Sequence, residues 1–258
     1  MQSAWVKDAA GILIPEWVAA EEERKRKRTM AVDLFAGCGG FSCGAMQAGM
    51  NVVAMVEWNT TAVLTYCANL CRWGHMQFHF LTPEDERRME KAINKEWRLE
   101  QKTAMQMKFC FAGDGWIAGE PNIPGVKHII VGDIRLLKGE QLLRWIGLER
   151  GELGCIFGSP PCQGFSAANI NRYTADLRND LCFEFARLIV ECLPKTMMLE
   201  NVPDFAKSPQ CARFIRILQD GGFEGVEAFE RLMEKHPTAV PATVRRTKTR
   251  VRKEKKSD

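Results

Sequence analysis

Along this chain, short apolar runs alternate with longer stretches whose apolar positions recur at helical spacing. Five runs read as strands: residues 31–35, 52–56, 128–131, 155–157 and 196–199. Helical patterns follow at 40–48, 60–70, 139–146, 181–192 and 209–219. Strands that alternate with helices predict an α/β fold, a doubly wound and mostly parallel sheet covered on both faces. In such sheets, ligands bind outside the carboxyl ends of the strands. The residues able to do chemistry sit at those ends: after Phe35, at Glu57, at Asp133, after Phe157 and at Glu200.

The first of these ends carries "DLFAGCGGFSCG", residues 33–44, in which Gly37, Gly39 and Gly40 follow a strand and open a helix. Glycine permits tight turning and close backbone approach to a ligand. Glu57 ends the next strand, 20 residues after Gly37. An acidic residue at that spacing suits the hydroxyls of a ribose, so the unit is expected to hold an adenosine-containing cofactor. The spacing is G-x-G-x-x-S rather than G-x-G-x-x-G, with few basic residues nearby for a pyrophosphate. That favours S-adenosyl-L-methionine, which has no phosphate, over a dinucleotide. Trp58 is expected either to lie flat on the adenine or to be a core aromatic. Asp133 is expected either to accept from the adenine amino group or to cap a helix.

The second feature is "GSPPCQGFS", residues 158–166. Pro160 and Pro161 force a stiff extended turn before Cys162, because proline can neither continue a helix nor donate to a sheet. The pattern presents a cysteine in a loop rather than burying it.

The motifs DLFAGCGGFSCG, VEWN, GDI, GSPPCQGFS, DLRNDLCFEFARLI and LENVP, in this order between Ala31 and Asp204, resemble the DNA (cytosine-5)-methyltransferase family. The resemblance implies the S-adenosylmethionine-dependent methyltransferase fold and methyl transfer to C5 of cytosine through a covalent Cys162 adduct. It implies that Glu200 contacts the cytosine N3 and amino group. It places Phe35, Ala36, Gly37, Gly39, Glu57, Trp58, Asp133, Ile134, Pro160 and Leu181 around the cofactor. It sets Gln163, Ser166 and Arg178 against DNA carrying a flipped cytosine.

The chain departs from the family in two places. The family spaces its cofactor glutamate and aspartate more closely than Glu57 and Asp133. Residues 71–127 are therefore expected to be an insertion and a surface elaboration, with a helix over 82–97 and a Gly/Pro-rich loop over 112–125. The family's Pro-Gln and arginine motif, its target-recognition region and its Gly-Asn-Ser segment have no counterpart after residue 230. The domain reading is an N-terminal extension 1–28, a catalytic domain 29–230 and a disordered basic tail 231–258. A split enzyme completed by a second polypeptide is the expectation. The alternatives are a catalytically weak remnant and a non-enzymatic nucleic-acid-binding relative.

Charge and composition narrow the classes. Residues 245–258 hold eight Lys and Arg against Glu254 and Asp258, and the other 244 residues hold 28 basic and 30 acidic groups. Such a basic segment suits either solvent or phosphate contact. Hydrophobic content of 46% and charged content of 26% fit a globular chain with no membrane span. The N-terminus lacks a signal-peptide pattern, and the ten cysteines are scattered through apolar segments. Reduced thiols in a cytoplasmic, or nucleoid-associated, protein are expected. Cys67, Cys71 and His75 read as a helix face, and no metal is expected.

Overall fold

The computed structural model describes residues 5–7, 13–15, 18, 28–102, 113–161, 180–222 and 244–245. The chain forms two compact units, Met1–Leu136 and Leu137–Asp258.

In the first unit, Met30–Leu34 (β3), Asn51–Glu57 (β4), Gln77–Phe80 (β5) and His128–Val131 (β6) lie in the order β5-β6-β4-β3. All of these neighbours are parallel. Ala31, Val32, Leu34, Val52, Ala54, Met55, Val56 and the apolar residues of β6 are essentially inaccessible to solvent. Such near-continuous apolar runs mark strands covered on both faces. A separate antiparallel hairpin pairs Trp5–Lys7 (β1) with Leu13–Pro15 (β2).

Helix α1 spans Gly40–Gln47, α2 spans Thr60–Leu70 and α3 spans Pro83–Lys102. Asn59 begins α2, its side-chain oxygen accepting from the backbone N–H groups of Thr61 and Ala62. Thr82 begins α3: its Oγ1 accepts from Asp85 N and donates to Asp85 Oδ2 at 2.7 Å. Pro83 takes the first helical position, and Glu84, Asp85 and Glu86 fill the positive end of the helix dipole.

The second unit holds Cys155–Gly158 (β7) and Thr196–Leu199 (β8), which pair in parallel. Its helices are Gly139–Ile146 (α4), Leu181–Cys192 (α5), Pro203–Ala206 (α6) and Pro209–Asp220 (α7). Phe214 of α7 lies 6.2 Å from the ring of Phe185 and 6.3 Å from that of Phe205, which joins three helices in one apolar contact. The α/β class and the mostly parallel strands follow the sequence expectation.

Two expectations need correction. Residues 71–127 are more than a surface elaboration, because β5 within them is a parallel strand on β6. Gln-Phe-His-Phe alternates with period two, a strand signal only four residues long. Further on, Ile117 and Val126 are fully buried, and Arg72 holds the loop by donating to the carbonyls of Glu120 and Ile123. The tail 231–258 likewise contains a strand, Val244–Arg245 (β9), antiparallel to β8. β9 satisfies backbone groups that β8 would otherwise present as an open edge.

Candidate cofactor site and catalytic loops

Strand β3 stops at Leu34, one residue before the end read from sequence, because Phe35 takes a left-handed φ of 60°. The chain turns there into the glycine loop. Gly37 has φ 54° with open space where a Cβ would be, while Gly39 has φ 93° and no such space. A Cβ on Gly39 would come within 2.8 Å of Tyr66 Cδ2 and also overlap Leu70. Gly37 is thus favoured by backbone conformation, while Gly39 is required by close packing against α2 as well.

Glu57 organises the mouth of this loop. Its Oε2 accepts from Gly37 N at 2.8 Å, and its Oε1 accepts from Trp58 N at 2.9 Å and Asn59 N at 2.7 Å. Three backbone donors orient the carboxylate, and an acceptor position remains on Oε2. Gly132 N donates to the Glu57 carbonyl at 3.1 Å, bringing the end of β6 to the same place. The arrangement fits an adenosyl group: a fixed carboxylate for the ribose, beside a backbone turn whose glycines admit close approach.

Trp58 is 61% exposed, so the core-aromatic alternative is wrong. Asp133 caps the turn that follows it. Its carboxylate accepts from Arg135 N at 3.0 Å and from the Arg135 guanidinium, at the start of the turn Ile134–Leu136. That pairing holds the Asp133 carboxyl below its ordinary value and leaves it an ionised acceptor. Ala36 and Ile134 are buried and Phe35 is half-buried.

Beneath the loop lies a polar network that the sequence did not reveal. Asp33, fully buried, accepts from Ser42 Oγ at 2.6 Å, and Ser42 Oγ lies 2.7 Å from Tyr66 OH. Asp33 Oδ1 has no hydrogen-bond partner. Burial raises the Asp33 carboxyl from 3.8 to about 7, and burial likewise raises the Tyr66 hydroxyl. Asp33 stands in an apolar strand, and only the tertiary fold brings Ser42 and Tyr66 to it.

In the second unit, Pro160 is buried and Glu200 is exposed just beyond β8. Glu200 N donates to the Gly158 carbonyl at 3.1 Å. Asn201 Nδ2 donates to the Pro160 carbonyl at 3.3 Å, and Asn201 Oδ1 accepts from Val202 N. These bonds hold the chain leading into Cys162 against the segment that carries Glu200. The sequence reading missed Asn201, although it stands inside the LENVP motif. Leu181 opens α5 and is half-buried. Cys162, Gln163, Ser166 and Arg178 lie outside the described residues.

Among the described residues the cysteines are free thiols, and burial pushes Cys182 and Cys192 up to about 12. Thiols so shifted stay protonated and are poor nucleophiles. No cluster of three potential metal ligands occurs among the described residues, and no helix there is long and apolar enough to cross a membrane.

Comparison with known proteins bears on these motifs. The family described as C-5 cytosine-specific DNA methylase matches residues 29–94 and 120–226. The match includes β5 and the start of α3, so the segment it skips, 95–119, is shorter than the insertion read from sequence. Type II methyltransferase M.XorII of Xanthomonas oryzae pv. oryzae is 27% identical over 222 residues, 85% of this chain and 39% of that protein. Type II methyltransferase M.DdeI of Desulfomicrobium norvegicum is 28% identical over 171 residues, 66% of this chain and 27% of that protein. This chain thus spans less than half the length of these relatives. The solved structure of the Schizosaccharomyces pombe Dnmt2 methyltransferase aligns with a TM-score of 0.36 at 14% identity, covering 74% of this chain and 40% of that one.

Proposed function

Because the chain belongs to the C-5 cytosine-specific DNA methylase family, we propose that it methylates C5 of cytosine in DNA, as the modifying member of a restriction–modification pair. The fold is the Rossmann-like fold of S-adenosylmethionine-dependent methyltransferases, and S-adenosyl-L-methionine is the cofactor. When bound, it supplies an electrophilic methyl group on a sulfonium. Glu57 would hold the ribose, with the Gly37–Gly39 turn beneath it and Asp133 as a further acceptor.

The catalytic steps rest on the family resemblance. Cytosine C5 is a poor nucleophile, because the ring is aromatic and uncharged. Cys162, as thiolate, adds through Sγ to C6, which moves electron density to C5. C5 would then take the methyl group that the bound cofactor supplies, the cofactor leaving as its neutral thioether. Loss of the C5 proton and expulsion of the thiolate restore the ring, so that one hard step is split into easier ones. Glu200 stabilises the charge pushed into the ring through N3 and the amino group. Gln163, Ser166 and Arg178 hold the DNA around the flipped base. We assign target selection to residues outside the matched segments 29–94 and 120–226. Base-edge contacts are needed for it, whereas basic segments add unselective affinity.

The observation that carries this reading is the hydrogen bond from Asn201 to the Pro160 carbonyl, which ties the approach to Cys162 to the segment bearing Glu200. DNA containing 5-fluorocytosine tests it, since the C5 fluorine cannot leave as a cation. With cofactor present, the protein should form a denaturation-resistant adduct, and Cys162→Ala should form none. Methylation without such trapping would refute covalent catalysis at Cys162.

A further inference from the structure

We infer that Arg88, on the helix that follows β5, is a positioning residue for the adenine end of the cofactor site, acting through Trp58. The inference rests on the cofactor reading above. It adds a residue that none of the sequence motifs contains.

The Arg88 guanidinium carbon lies 4.7 Å from the centroid of the Trp58 ring. Its Nη2 donates to the Trp58 carbonyl at 2.7 Å. One side chain therefore covers a face of the indole and holds the backbone that carries it. Arg88 is anchored in turn, since its Nη1 donates to Asp85 Oδ1 at 2.9 Å. The other Asp85 oxygen accepts from Thr82 Oγ1. Asp85 is only 4% exposed. The chain Thr82–Asp85–Arg88–Trp58 thus runs from the start of α3 to the residue beside Glu57.

The end of β6 shows the same seating of α3. Gly132 has φ 145°, and a Cβ there would meet Asp85 Oδ2 at 2.8 Å. The first turn of α3 is packed against the backbone that leads into Asp133. Trp58 remains 61% exposed although Arg88 occupies one of its faces. A free indole side chain would sample several rotamers, and a planar ligand stacking on it would have to order it. Arg88 removes that cost and leaves the opposite ring face as a platform for an adenine. The ion pair with Asp85 offsets the Arg88 charge, which matters for a cationic cofactor.

Calorimetry on the 258-residue chain tests this with two adenosine-bearing probes, S-adenosylhomocysteine and 5′-deoxy-5′-methylthioadenosine. Arg88→Ala should weaken both by the same factor, roughly five- to tenfold. Arg88→Lys, which keeps a cation over the ring, should recover part of the loss. In the double variant with Trp58→Ala, the Arg88 change should add nothing further. Arg88→Gln serves if the alanine variant does not fold, as judged by its circular dichroism. Unchanged affinity in a folded Arg88 variant, or losses that multiply in the double variant, would overturn the inference. Glu57→Ala in the same assay separates the two readings. If it loses affinity while the Arg88 variants do not, the cofactor site stands and the Arg88 role falls. If the unaltered chain binds neither probe, both fall.

Discussion

The backbone N–H of Gly37 donates to Glu57 Oε2 at 2.8 Å, across 20 residues of sequence. The bond joins the turn after β3 to the end of β4, so the group read as the ribose acceptor also holds the loop beside it. Glu57→Ala should therefore lose more than a ligand contact. We expect S-adenosylmethionine affinity to fall at least tenfold, as for a charge-assisted hydrogen bond of about 1.5–3 kcal/mol. Backbone hydrogen exchange at Gly37 should rise in the unliganded variant. Titration calorimetry and exchange measure the two effects, and equal affinity in both proteins would reject the assignment.

Two glycines in adjoining segments should respond in opposite ways to alanine. Gly39 has φ 93° and no room for a Cβ beside Tyr66 and Leu70. Gly39→Ala should destabilise the fold by about 2–4 kcal/mol. Gly44 lies inside α1 with open space around it. Gly44→Ala should be neutral or stabilising by up to about 1 kcal/mol. Urea unfolding of the two variants gives the comparison.

Asp33 should make stability depend on pH. Its carboxyl rises from 3.8 to about 7 on folding, chiefly through burial, with Ser42 opposing the rise and Glu57 adding to it. Between those values the folded chain keeps a proton that the unfolded chain has released. Stability therefore falls as pH rises through that window, by about 1.4 kcal/mol per unit for this group, and is flat on either side. Asp33→Asn removes the slope. The stability advantage of the unaltered chain over the variant should shrink by about 3 kcal/mol between pH 4.5 and 6.5. Parallel curves for the two proteins would show that Asp33 does not titrate in this way.

Asn201→Ala should uncouple catalysis from cofactor binding. The change frees the Pro160 carbonyl and leaves the Glu57 contacts in the first unit untouched. The yield of trapped 5-fluorocytosine adduct should drop about tenfold, the effect of a misplaced nucleophile. S-adenosylmethionine affinity should stay within about twofold of the unaltered chain, since no Glu57 contact is lost. A matching loss in both would mean that Asn201 supports the whole unit rather than the loop.

Local pattern alone determined the parallel strands and the helices between them. The indicators, namely apolar runs and glycine turns, depend on near neighbours in the chain. The motifs at the strand ends were legible for the same reason, because each lies within a few residues of the strand it ends. What the tertiary structure decided are pairings between residues with no shared local signal. Asp33 meets Ser42 and Tyr66 only once α1 and α2 pack on the sheet. β5, four residues long, is a strand because β6 presents it a ladder. Arg88 reads as one more charge on a polar helix, and only folding sets its guanidinium on Trp58. Contacts of this kind are set by the packing of whole elements, and no periodicity in the chain encodes them.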